Sequence, residues 1–174
     1  PFQLPDYETG SFDRTRNALL ALAAEQGSFE HSFGRQEDVD PVHHLIGSAA
    51  GWGGLPDAEA TYVGVAPNRP VGEYELTIPD DVPVDGFWSI SVYNADGFFE
   101  PNDQGAYSVN SITDARNDDA SVTVRFGGSG ANSIPITEAW NYLVRLHRPR
   151  PEILCDPWRF PTLPPVPRTP AGPT

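Results

Sequence analysis

The sequence predicts a mainly β protein: an antiparallel β-sandwich with two short N-terminal helices and a Pro-rich C-terminal tail. Three observations carry this. From Glu59 the apolar residues fall into short runs with the two-residue period of a strand. Those runs are joined by Gly, Pro and Asn/Asp turns, the punctuation of a sandwich. The last stretch, 149–174, is so rich in Pro that it reads as neither central strand nor helix.

The organisation expected is a helical lead-in over 1–50, a sandwich over 51–148 and the tail over 149–174, all in one domain. Pro1, Pro5 and Gly10 keep the start extended. A helix is expected over 12–25: Ser11 caps it, Ala18 to Ala24 are strong helix formers, and Gly27 stops it. Leu19, Leu22 and Ala23 share its buried face, with Phe12 on the same stripe. Asp40-Pro41 starts a second helix, with Asp40 as N-cap, which runs to Ala50 and stops at Gly51. WGGLP is then a turn carrying Trp52.

The strands follow in order: Thr61 to Val65, Glu73 to Ile78, Trp88 to Tyr93, Tyr107 to Ile112, Ser121 to Phe126 and Asn141 to His147. The third is central. Trp88, Ile90 and Val92 point inward, and Asn94-Ala95-Asp96-Gly97 supplies the turn after it. Tyr74, Leu76 and Ile78 face in, as do Val122, Val124 and Phe126, and Tyr142, Val144 and Leu146. Residues 127–132 are a loop. In the tail, Trp158, Phe160 and Leu163 are the anchors that dock it, on its own sandwich or on a partner.

Net charge is −13, and all eleven basic residues are Arg. So acidic a chain repels phosphate backbones and anionic membranes, which excludes nucleic acid as the expected partner. No apolar run approaches the ~20 residues that span a bilayer. The one cysteine, Cys155, cannot form an internal disulfide and reads as structural. A cytoplasmic location is the expectation.

Candidate chemistry gathers on one face. Arg145 and His147 lie two apart on the last strand, opposite its apolar residues. Tyr93 shares a face with Ser89 and Ser91 on the central one. If both faces line one surface, Arg145 is an anion anchor, and His147 or Tyr93 is the acid or base. The alternative is an outward face with Arg145 paired to an acid. Trp88, Asn102 and Trp158 are the candidate ligand-binding residues. No metal site and no cofactor are expected: His43 and His44 are adjacent and diverge by ~100° on a helix, and His31 and His147 lie far off in sequence. Asp96, Asp114, Asp118 and Asp119 sit in turns without EF-hand spacing. No GxSxG elbow surrounds Ser89 or Ser91, and GGSG at 127–130 precedes no strand–helix unit.

The segments GWGGLPDAEATYVG (51–64), FWSISVYNADGFFEPN (87–102), YSV (107–109), NDDASVTV (117–124) and YLVRLHRPRPEILCDPWRFP (142–161) resemble the bacterial family of domain of unknown function 1214. The resemblance implies a jelly-roll-like sandwich in a short, stand-alone branch, and no established reaction. Three positions depart from the family pattern. Ala106 stands where members carry Arg before the YS pair, Asp119-Ala120-Ser121 replaces DGS, and Asn132-Ser133-Ile134-Pro135 replaces NWLP. Two functions are expected from these observations. The first is a ligand-binding or assembly subunit, with a protein partner or a second copy and a small organic ligand. The second is a small hydrolase- or lyase-type enzyme acting on an organic acid or ester through Arg145, His147 and Tyr93.

Overall fold

The computed structural model describes residues 3, 6–26, 29–51, 53–155 and 158–164. Gly27, Trp52, Pro1, Pro5 and the tail beyond residue 164 lie outside these. The chain groups into two compact units, 1–61 and 62–174.

In the first unit, helix α1 (Thr9–Gln26) starts earlier than expected. Glu8, not Ser11, closes its first turn: the carboxylate accepts the N–H groups of Gly10 and Ser11. Ala23 is buried and Leu19 half-buried, but Leu22 and Phe12 are exposed, so the buried stripe is narrower than the periodicity suggests. Helix α2 (Pro41–Ala50) forms as its caps dictate. Asp40 accepts from the N–H groups of His43 and Val42, which holds its carboxyl below the ordinary range. Gly51 N–H returns to the Gly47 carbonyl. The two helices pack on each other. The histidines of this unit are spent on its loop: Nδ1 of His31, His43 and His44 meets the carbonyls of Asp38, Glu30 and Ser32.

Among the described residues seven strands follow: β1 (Ala60–Val65), β2 (Tyr74–Ile78), β3 (Trp88–Tyr93), β4 (Ser108–Asn110), β5 (Val122–Phe126), β6 (Ser133–Ile134) and β7 (Asn141–His147). They make a four-stranded sheet, β1-β7-β3-β4, and a three-stranded sheet, β2-β5-β6. β3 pairs antiparallel with β4 and β7, and β2 pairs antiparallel with β5. β3 is central, as its continuous apolar face requires.

The inward residues of both sheets meet in one core. Trp88, Ile90, Val92, Tyr142, Val144 and Leu146 come from the larger sheet. Leu76, Ile78, Val122, Val124, Phe126 and Ile134 come from the smaller. Facing sheets that share a core are what a sandwich is. Ile90, Val144, Val124 and Phe126 are 0% exposed. An aromatic stack closes one region of the core, with Phe126 5.0 Å from both Trp140 and Tyr142 and Tyr74 5.9 Å from Trp140.

Two expectations are corrected and one strand is added. Residues 127–132 are a loop as expected, and after it the unforeseen strand Ser133–Ile134 pairs in parallel with Arg125 and Phe126. The left-handed glycines 127, 128 and 130 and Asn132, at φ 56°, make that reversal possible. Gly127 is held to glycine by space as well: a Cβ there would sit 2.1 Å from the Gly72 carbonyl oxygen. The tail does contain a helical turn, α3 (Pro151–Leu154). Proline at the first helical position loses no intrahelical bond, so Pro151 starts this turn rather than forbidding it. Finally, Cys155 is exposed at the end of α3 and contributes nothing to the core.

The described tail residues pack on the sandwich of their own unit. Phe160 is buried in the core with its ring 6.1 Å from Trp88, and Trp158, Leu163 and Ile153 pack against it.

Candidate functional site

The outer face of the four-stranded sheet is built by the register between β3 and β7. Ser89 lies opposite Arg145, Ser91 opposite Leu143 and Tyr93 opposite Asn141. Because side chains alternate, Ser89, Ser91, Tyr93, Arg145 and His147 share the face turned from the core. Within it Arg145 reaches along the sheet: Nη1 donates to Ser91 Oγ at 3.0 Å and Nη2 to the Tyr93 hydroxyl at 2.6 Å. Among the described residues no carboxylate pairs with this guanidinium.

Aromatic rings flank the arginine at either end. Tyr93 stacks on Phe99 at 4.9 Å, and Phe99 tilts against Tyr107 at 5.3 Å. At the other end the His147 ring stacks on Phe87 at 4.3 Å. Burial, and then the Arg145 charge, push the His147 pKa below its ordinary value, which favours the neutral imidazole. The structure thus joins two of the three predicted residues, Arg145 and Tyr93. It sets His147 beside them, with no side-chain hydrogen bond to either.

Trp88 is 4% exposed and belongs to the core, with one edge on a cleft of about 350 Å³. That cleft is also lined by Val82, Val122, Asp80, Arg116 and Arg150. Its arginines are already engaged, Arg116 with Asp114 at 3.6 Å and Arg150 with Asp85 at 2.8 Å. Asn102 structures its own loop: its amide donates to the carbonyls of Glu100 and Ala106 and accepts from Ala106 N–H. The hollow that Asn102 shares with Tyr93 has a volume of only about 10 Å³, room for one water. Trp158 leans edge-on against Phe160 and anchors the tail. Among the described residues no cluster of three or more His, Cys, Asp or Glu is placed to hold a metal. None of their helices is long and apolar enough to cross a membrane.

Sequence reasoning missed the aromatic flanks. Phe98 and Phe99 are apolar, yet Phe98 is 69% and Phe99 49% exposed. The available signal was the Asn94 turn. Asn94 Oδ1 accepts from Asp96 and Phe98 N–H, which throws the chain back over the outer face.

These features define a two-sheet β protein with an arginine-centred outer face. Residues 66–151 match the model of the family described as Protein of unknown function (DUF1214). No curated protein matches the chain. The chain resembles the crystal structure of the VPA0106 protein from Vibrio parahaemolyticus, at 17% identity and a TM-score of 0.64. The match covers 92% of this chain and 46% of that one, so this chain spans under half of the Vibrio protein. At that identity the likeness shows the fold. A putative uncharacterised protein from Burkholderia cenocepacia matches at 22% identity and a TM-score of 0.44, over 56% of this chain and 28% of that one.

Proposed function

We propose that the chain is a binding module for a small organic anion, seated on the outer face of the four-stranded sheet at Arg145. One observation carries this reading. A half-buried guanidinium is held by two neutral hydroxyls and has no acid beside it among the described residues. Those hydroxyls fix the fork without neutralising it, which leaves N–H donors for a two-pronged carboxylate. The Phe87–His147 and Tyr93–Phe99 stacks offer apolar walls to either side of such a ligand.

Binding is favoured over turnover because no side-chain hydrogen bond joins His147 to Arg145 or Tyr93, which bond each other. The enzyme reading remains the second one. A neutral imidazole two positions from an anion anchor is the arrangement a general base needs. It would act only on a ligand long enough to span Arg145 and His147.

Calorimetric titration at low salt with short mono- and dicarboxylates and inorganic phosphate tests the proposal. Saturable carboxylate binding is expected. Arg145→Ala should weaken it by at least tenfold, about 1.4 kcal/mol, and Tyr93→Phe by less. Absence of saturation at millimolar ligand, or unchanged affinity in Arg145→Ala, would sink it.

A further inference from the structure

We infer that residues 158–164 are a polyproline-type ligand held in cis, and that the surface beneath them is a groove that binds a proline-rich segment of the same pattern in trans. Proline fixes its own φ, and the residue before a proline is driven to extended backbone. Phe160 and Leu163 each precede a proline. A polyproline helix repeats every three residues, so those two side chains fall on one side and Thr162 off it. The burial agrees: Phe160 is buried, Leu163 packs on the core and Thr162 is exposed.

Such a backbone forms no internal hydrogen bonds, so its carbonyls are free to be read by a partner. The groove reads them. The Arg69 guanidinium donates to the Pro164 carbonyl and lies 5.1 Å above the Tyr74 ring. The Tyr142 hydroxyl lies near the Leu163 backbone N–H, itself a donor, and reads no carbonyl. Trp88 receives the Phe160 ring edge-on, and within the tail Trp158 packs edge-on against Phe160. An aromatic wall with a donor aimed at a ligand carbonyl is the chemistry by which proline-rich peptides are recognised. Contacts to carbonyls do not depend on which chain supplies them.

A tethered tail competes at an effective concentration near millimolar, so the tether must be cut before exchange can be read. A site-specific protease sequence is inserted after Cys155, which is exposed, and the folded full chain is cleaved. The probe is a dye-labelled synthetic peptide of residues 156–174, followed by fluorescence anisotropy. Expected results are exchange of the peptide with the body's circular dichroism unchanged, and a Kd raised about tenfold by Arg69→Ala, as loss of a charged hydrogen bond implies. Affinity should also fall when Leu163, or Pro161 and Pro164 together, become Ala in the peptide. Release only on unfolding, or a Kd indifferent to Arg69→Ala and to the prolines, overturns the inference. In the uncut chain, the amides of Phe160, Thr162 and Leu163 should exchange by sub-global opening, ahead of Ile90 and Val144. Exchange of both groups only by global unfolding would make the tail part of the core instead.

Discussion

Two arginines project from the outer faces of the two sheets, and the strand opposite makes them different. Arg125 on β5 faces Glu75 on β2, and its Nε meets the carboxylate at 3.0 Å. Arg145 on β7 faces Ser89 on β3 and finds only hydroxyls. Both read identically in their own strands, as a cation alternating with apolar residues. A cross-strand residue, decided by register, neutralises one charge and leaves the other available. The charge of an outer face is thus a property of strand pairs.

The largest expected effect follows from exchanging the opposing residues. Ser89→Glu places an acid across from Arg145 and should abolish the carboxylate binding proposed above. Glu75→Ser should free Arg125 without creating comparable affinity, since no hydroxyl pair holds that guanidinium. Titration of both variants with the same carboxylates checks this, and full binding by Ser89→Glu would refute the assignment. Next comes Ala120, which holds a φ of 66° in the turn before β5. Ala120→Gly relieves left-handed strain and should stabilise the fold by about 1 kcal/mol in urea denaturation.

A double-mutant cycle on Glu75 and Arg125 should return a smaller coupling, roughly 0.2–1 kcal/mol, because the pair is solvent-exposed. The smallest effect is that of His147. Its folded pKa lies below the ordinary value, so the unfolded chain takes up a proton first as the pH falls. The contribution is complete above pH ~6.5 and is lost as pH falls through the folded pKa. Melting temperature should therefore decline slightly from pH 7 to pH 5, and His147→Gln should flatten that slope. An unchanged slope would place the titrating group elsewhere.

Most of the sandwich was legible from alternation alone. The inward residues of β2, β3, β5 and β7 are those the period selects, because burial on one face leaves a two-residue imprint. β6 left none: two residues are too short to carry a period, and its partner lies parallel across a glycine turn. α3 was hidden because proline content masked a permitted first-turn proline. At the site, the shared face of Arg145, His147 and Tyr93 was readable strand by strand. The 2.6 Å bond between Arg145 and Tyr93 and the absence of an acid depend on register, which no single strand records. Ala120 stood out only through the DGS that the resemblance implies, and its strain became visible only with the backbone angle.

The brief parallel pairing of β6 has a protective consequence. Val122 to Phe126 is a strand of high β-propensity, and an uncovered flank would offer a template for another chain to add on. Two residues, folded back by a run of glycines, occupy part of that flank. Stiffening the glycine turn would uncover it, and the damage would surface as fibrils or precipitate on storage before any loss of fold was seen.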